Sequence, residues 1–592
     1  MQTISPEKIT RAPSTNFFAV DVDKLKYRQK GETHKQKCGR IADTLSDNPD
    51  HDRRFYEALR DQVFLPAGRV QAATGAVRSV TAFNCFVMNT IPDSMEGIMA
   101  TLTRAAETMR RGGGVGYDFS TLRPKNSKIH SLDSTASGPV SFMDVFNAMC
   151  GTIMSAGHRR GAQMACMRID HPDIMEFVTS KTNTTRFTNF NISVLVTDEF
   201  MDCLKNNKPF DLRFDGEVYD TVNASALWNT LMRANWDWAE PGVIFVDRVN
   251  AKNNLYYCET IAATNPCGEQ PLPPYGACLL GSYNLTKFIK VDAGGKVYFD
   301  YTEFVDLIPA VVRAMDNVID TTIYPLPQQE QEAKNKRRMG LGVTGVANVL
   351  GALGIRYGSD EAVQWLEHLL WTKANMEYQA SALLAKEKGS FPLYDEEKYL
   401  AGEYIQSLMP ETLSLIKQYG IRNSHLGSIA PTGTISLSAG NVSSGIEPVF
   451  LLESDRLAHM GGDTPVTVTL RDYAYEQWGI KCPTTETVTA EEHVKMLCAA
   501  QKWIDSAVSK TCNVGDHVTF TEFKDIYLQA YEGGAKGCTT FRAAGKRFGI
   551  LTASASENDV PEKKAEPEVQ SENITEGAAC FVDPATGMRT CE

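Results

Sequence analysis

Between Glu361 and Lys388 apolar side chains fall at Val363, Leu366, Leu369, Leu370, Met376, Leu383 and Leu384, and Gly389 follows directly. Spacings of three and four residues put these positions on one helical face, and a glycine past the last turn supplies a stop. The pattern predicts one long amphipathic helix. Thr489-Ala490-Glu491-Glu492 ahead of Val494, Leu497 and Trp503 predicts another, opened by a capping box. From Lys24 to about Arg60 the chain is charged with helical spacing, which predicts a small helical region over residues 1–63. It runs into the turn-rich stretch Phe64-Leu65-Pro66-Ala67-Gly68-Arg69. The middle alternates short β-rich runs, Ile192 to Val196 and Val243 to Val246, with helical stretches such as Asp198 to Leu204. Alternation of the two periods predicts an α/β architecture over residues 64–549.

After about Gly549 the pattern ends in Ser, Glu, Lys, Pro and Asn with almost no large apolar side chain before Cys580. Residues 550–592 therefore read as a flexible tail. Cys580 and Cys591 at its far end are badly placed for packing and well placed for a mobile thiol carrier. No repeat of 20 to 50 residues is visible, which sets aside solenoids and propellers.

Composition narrows the class. With 592 residues, 43% apolar and 22% charged, the chain can bury a large core. Its formal charge of -12 opposes broad attraction to nucleic acid or an anionic membrane, while leaving room for a local phosphate pocket. The polar N-terminus has no signal-like apolar region and no run is long enough to span a bilayer, so a cytoplasmic protein is expected, or one of a host's cytoplasm if virus-encoded. In that compartment the 14 cysteines are not a disulfide framework. No C-x-x-C pair occurs, and no metal site built from protein side chains is expected. Cys150, Cys166, Cys203 and Cys498 sit in apolar surroundings and read as core filler.

Gly340-Leu341-Gly342-Val343-Thr344-Gly345 fits the dinucleotide fingerprint, with Asp360 about 20 residues beyond. The charged run Gln328 to Arg338 before it is no buried strand, so a close-packed helix entry is the better reading. More informative is Thr264-Asn265-Pro266-Cys267-Gly268-Glu269-Gln270-Pro271-Leu272, with Cys278 following in Gly276-Ala277-Cys278-Leu279-Leu280-Gly281. Thiol, carboxylate and carboxamide within one Pro/Gly-rich loop would surround a small substrate with a reactive sulfur, a base and a donor. By itself the pentapeptide is also good turn chemistry.

Other segments favour chemistry. Asn84-Cys85-Phe86-Val87-Met88, Arg111-Gly112-Gly113-Gly114-Val115-Gly116, Ser137-Gly138-Pro139-Val140-Ser141-Phe142, Arg159-Arg160-Gly161-Ala162, Asn189-Phe190-Asn191-Ile192-Ser193 and Pro431-Thr432-Gly433-Thr434-Ile435-Ser436 occur in this order. With the cysteine loop they resemble the ribonucleotide reductases over roughly residues 60 to 545. The resemblance implies a ten-stranded α/β barrel of two five-stranded parallel halves with a central finger loop. It also implies a radical-bearing Cys267, Glu269 as general base, Asn265 at the sugar hydroxyls, and Cys85 with Cys278 as the pair that ends each turnover as a disulfide. Cys580 and Cys591 would re-reduce that pair and pass the load to a thioredoxin or glutaredoxin-like reductant, although tail cysteines in the family often lie closer together. Asn84, Gly114 and Pro431, Thr432, Gly433, Thr434, Ile435 and Ser436 would hold the nucleotide. Asp93 and Arg123 align with effector positions at a dimer interface, and Ser155 to Gln163, with Arg160, resembles the loop relaying effector identity. A homodimer is what such a site implies, and the sequence leaves a monomer open. About 60 residues precede the barrel-like region, too few for the ATP-binding cone of many relatives.

Members differ in radical source. At the position of the tyrosine pair used by enzymes with a metal-bearing partner subunit stands Lys536-Gly537-Cys538-Thr539-Thr540-Phe541-Arg542. Tyr256-Tyr257 precedes the finger loop and reads as packing. Glu269 argues against the glycyl-radical branch. The wording of these motifs looks like the adenosylcobalamin-dependent branch, acting on diphosphates. Two rivals are a large subunit that needs a metal-bearing partner, and a non-catalytic nucleotide-binding regulator.

Overall fold

The computed structural model describes residues 4–129, 132–155, 159–182, 186–458, 466–542 and 545, with two C-terminal strands, Cys580–Val582 and Arg589–Cys591. At 154–155, 159–160, 456–458, 466–467 and in the C-terminal strands the backbone alone is described. The linker expected after Gly549 lies outside these residues.

The chain is mixed α/β. Five strands, Cys85–Val87, Gly114–Asp118, Gln163–Arg168, Phe190–Val196 and Gly242–Phe245, run parallel in chain order. Their side chains are buried almost without interruption, as expected of a parallel sheet covered by crossover helices. Ala277–Cys278 flanks this set antiparallel to Cys85–Phe86, and Gly537–Arg542 flanks the other side antiparallel to Gly242–Phe245. Thr511–Val514 then pairs parallel to Gly537–Arg542. A second sheet holds Phe64–Pro66, Leu280–Asn284 and Gly340–Thr344, with the last two parallel. Single bridges extend it, from Leu341 to Gly427 and from Ile429 to Val508.

Ser359 caps the helix Asp360–Lys388 by accepting from Ala362, and Gly389 ends it with φ 80°. Thr489 and Glu492 form the reciprocal capping box that opens Ala490–Lys502. Three N-terminal helices, Phe17–Lys26, His34–Leu45 and Pro49–Arg60, match the charged pattern. Their buried Cys38, Ile41, Leu45 and Phe55 share one continuous core with Val115, Cys166 and Val194 of the sheet. No helix among the described residues is long and apolar enough to cross a membrane.

One expectation is corrected in part. Gly340–Thr344 is itself a fully buried strand, and only Gly345, with φ 86°, opens the helix Val346–Leu353. The glycines serve close packing, since a Cβ at Gly342 would run into the Ser428 carbonyl. The preceding charged run is the helix Pro327–Lys336, so no strand feeds a phosphate loop there.

Candidate active site

Ala263–Thr264 pairs antiparallel with Pro271–Leu272, so the cysteine loop is the tip of a short hairpin. Asn265 organises it. Its Oδ1 accepts from the Gln270 N–H at 3.0 Å, its backbone carbonyl accepts from Gly268 at 3.0 Å, and Gly268 takes φ 80°. Cys267, Glu269 and Asn265 are all buried. Neither Cys85 nor Cys278 is disulfide-bonded in this structure.

Two glycines explain how the hairpin reaches the sheet. A Cβ at Gly116 would collide with the Thr264 carbonyl oxygen, so backbone lies directly on backbone. A Cβ at Gly114 would lie 3.2 Å from Cys85 Sγ and 3.3 Å from Pro266 Cγ. Asn191 Nδ2 donates to the Pro266 carbonyl at 3.0 Å. On the far side the Glu269 carbonyl accepts from Ala507 N–H at 3.0 Å and Ser428 Oγ at 2.9 Å. That support is itself pinned: Asp505 accepts from Leu426 and Gly427 N–H at 2.7 and 2.9 Å and from Tyr378 Oη at 2.6 Å.

Lys536 Nζ donates to the Asp505 and Ser506 carbonyls at 2.5 and 2.8 Å. Burial drives its pKa down to about 7. In the unfolded chain the amine keeps its proton to about pH 10.4. Above pH 7 the unfolded state therefore binds more protons, and stability on this account rises with pH. Urea unfolding should show wild type gaining on Lys536→Met between pH 7 and 9; a flat difference would contradict the depressed pKa.

Cys85 and Cys278 face each other as register partners on antiparallel strands, both fully buried. Burial pushes both thiols far up, and the Glu269 carboxylate adds to this. At Cys85 the Asn265 side chain, the Arg69 guanidinium and the Gly114 N–H act in the opposite direction. Asn265 Nδ2 and Asn84 Oδ1 are buried with no hydrogen-bond partner among the described residues. Buried polar atoms are rarely left so, and a polyhydroxyl ligand would satisfy both.

Thr432 takes a left-handed φ of 56°, strained for a β-branched residue, and opens the short helix Gly433–Ser438. Its hydroxyl is engaged with Thr344 Oγ1 at 3.0 Å and Gly445 N–H at 2.8 Å, and Ser436 Oγ donates to the Gly433 carbonyl at 3.0 Å. These hydroxyls are thus partly used up inside the loop, and its first-turn N–H groups are the better anion donors.

Cys580 and Cys591 are Cα partners across the antiparallel pair Cys580–Val582 and Arg589–Cys591. Their wide sequence spacing is bridged by strand pairing, and opposed Cα positions suit a disulfide. The strand Arg589–Cys591 lies against the helix Gly433–Ser438.

Asp93 and Arg123 meet in a half-exposed ion pair, Nε to Oδ2 2.7 Å. Arg160 lies on a two-residue strand paired with Met154–Ser155, its side chain outside the described residues. Tyr256 and Tyr257 spend their hydroxyls on the Lys398 and Leu393 carbonyls. Sequence reasoning missed Arg69 and Gln270. Both are buried with side-chain nitrogens lacking a partner among the described residues, and neither stands in a pattern that announces it.

Residues 83–541 match the family model described as "Ribonucleotide reductase, barrel domain". This chain belongs to the ribonucleotide reductase family. A vitamin B12-dependent ribonucleoside-diphosphate reductase of Mycobacterium tuberculosis (strain CDC 1551 / Oshkosh) is 35% identical, over 85% of this chain and 73% of the relative. One of the same name from Thermoplasma acidophilum is 36% identical, over 86% of this chain and 67% of its own length. The vitamin B12-dependent ribonucleotide reductase of Streptomyces coelicolor is 28% identical, and this reductase chain spans 61% of it.

Proposed function

We propose that this chain reduces ribonucleoside diphosphates to 2′-deoxyribonucleotides by a thiyl-radical mechanism that depends on adenosylcobalamin. The observation that carries this is the convergence of Cys267, Glu269, the orphaned Asn265 amide and the facing Cys85 and Cys278 on one buried hairpin tip. The names of the Mycobacterium and Thermoplasma relatives support the diphosphate level and the cofactor.

In this reading Cys267 removes the ribose 3′-hydrogen. Glu269 takes the 3′-hydroxyl proton and Asn265 Nδ2 holds the sugar hydroxyls. The 2′-hydroxyl leaves as water, and Cys85 and Cys278 supply two electrons by joining as a disulfide. Cys580 and Cys591 restore the pair by thiol exchange and are themselves reduced by a thioredoxin or glutaredoxin-like dithiol. Their strand's position against the helix Gly433–Ser438 supports this, because that helix and Asn84 and Gly114 are the proposed nucleotide contacts. Asp93, Arg123 and Arg160 serve a nucleotide effector in a homodimer.

The ten-stranded barrel belongs to the proposal. Five parallel strands make one half. Leu280–Asn284, Gly340–Thr344, the bridged segment at 427–429, the stretch from Val508 through Val514, and Gly537–Arg542 make the other. Antiparallel pairings at both joins support closure.

Adenosylcobalamin, when bound, supplies an organic radical by homolysis of its cobalt–carbon bond. The residues available fit such a group. Thr540 Oγ1 meets Tyr527 and Asn235 on the helix side, so strand alternation turns Thr539 to the opposite face. Asn513, in register with Phe541 beside it, has a buried Nδ2 without a partner among the described residues, and this amide would be available to hold such a group.

The purified chain, assayed alone with adenosylcobalamin and four ribonucleotides at both phosphorylation levels, should form deoxynucleotides from diphosphates. Activity appearing only with a second, metal-bearing protein would assign it to the other branch. No turnover under any condition would favour a regulator.

A further inference from the structure

Arg69 is a buried cation without a counter-ion among the described residues. It sits in the helix Gly68–Ala73 at 6% exposure, and its Nε and Nη2 have no hydrogen-bond partner among the described residues. Gly112, with φ 99°, makes room for it, since a Cβ there would stand 2.7 Å from Nη1 and 2.8 Å from Cζ. Burying a guanidinium with no anion is costly unless an anion arrives during function. Gly112 stands two residues before Gly114, whose Cβ position lies 3.2 Å from Cys85 Sγ, and among the described residues Cys85 is the titratable group whose charge bears on Arg69. A resting thiol offers Arg69 no charge. A thiolate would.

We propose that Arg69 is the positioning cation that holds Cys85 as a thiolate when the oxidised Cys85–Cys278 pair is re-reduced. The proposal rests on the reading of that pair as the one oxidised in turnover. A thiolate of the reducing dithiol attacks Cys278 Sγ; a new S–S bond forms, the Cys85–Cys278 bond breaks, and its electron pair leaves on Cys85 Sγ. The second thiol of the reductant, deprotonated, attacks the mixed disulfide and releases Cys278. Two electrons pass from dithiol to disulfide, and both site sulfurs end reduced. Exchange is faster the more stable the leaving thiolate. The groups facing Cys85 are unequal in this respect. Burial and Glu269 oppose its negative charge, whereas the Asn265 side chain, Gly114 N–H and Arg69 favour it, and Arg69 alone of these is a full charge. With Glu269 bearing on both sulfurs and no cation acting on Cys278 among the described residues, Cys85 is the favoured leaving sulfur.

The test uses the full chain, run through turnover with adenosylcobalamin and substrate, desalted, and re-reduced with dithiothreitol between pH 6 and 9.5. Peptide mapping counts the Cys85–Cys278 disulfide at each time. Arg69→Met should slow re-reduction at least tenfold at a fixed pH. In the reduced enzyme it should displace the pH profile of Cys85 alkylation upward by at least one unit, with Arg69→Lys recovering most of both and nucleotide KM unchanged. Arg69→Gln, neutral and closer in shape, gives the same readout if the methionine variant does not fold. An unmoved alkylation profile overturns the proposal, as does a raised nucleotide KM with intact re-reduction, which would make Arg69 a substrate contact. A wild-type chain that forms no Cys85–Cys278 disulfide in turnover would instead refute the underlying reading.

Discussion

Cys267→Ala is expected to abolish deoxyribonucleotide formation, by at least about 10⁴-fold, because removing a chemically essential nucleophile or radical carrier leaves only binding behind. The fold should survive. Cys267 is buried at a hairpin tip whose conformation is set by Asn265, Gly268 and the Glu269 carbonyl rather than by the sulfur. Deleting one buried heavy atom costs about 1 kcal/mol. In a chain this long that moves the melting temperature by only about 1 °C. Nucleotide binding, measured by calorimetry, should be within a factor of a few of wild type. Residual turnover within tenfold of wild type would remove Cys267 from the chemistry.

Gly116→Ala should be nearly as damaging, without touching any reactive group. The added methyl meets the Thr264 carbonyl, which is backbone and cannot rotate away. The hairpin must therefore lift off the strand Gly114–Asp118, carrying Cys267 with it. A displacement near 1 Å costs about 100-fold in rate, and overpacking of this kind costs about 1–3 kcal/mol in stability. The expected result is a kcat loss of about 100-fold with a modestly lower unfolding midpoint. Gly39→Ala is the control. It lies inside the helix His34–Leu45 with open space around it, and the exchange should raise stability by up to about 1 kcal/mol with activity unchanged. Unaltered kcat in Gly116→Ala would mean that the contact does not position the cysteine.

Much of this was readable along the chain. The helix Asp360–Lys388 and the capped start at Thr489 depend on residues within a few positions of one another, so local spacing was sufficient. The same holds for the hairpin around Cys267, whose turn residues are contiguous. Gly340–Thr344 was misjudged as a helix entry because its strand character comes from partners at Leu280–Asn284 and Gly427, far away in sequence. The hydroxyls of Thr432 and Ser436 are engaged with Thr344, Gly445 and Gly433, which the sequence of that loop does not reveal.

By itself the sequence determined which residue types carry the chemistry and the order in which their segments come, because motifs are local and a family resemblance is an ordered set of them. Only the tertiary structure decided that Cys85 and Cys278 are register partners, that Cys580 and Cys591 oppose each other across paired strands, and that Gly116 is where the hairpin lands. It also decided that Arg69 is buried against Gly112, two residues from the Gly114 that packs on Cys85, with no counter-ion among the described residues. Each of these depends on chain segments brought together through space, and an arginine in a turn-rich stretch gives no sign of which distant thiol it will face.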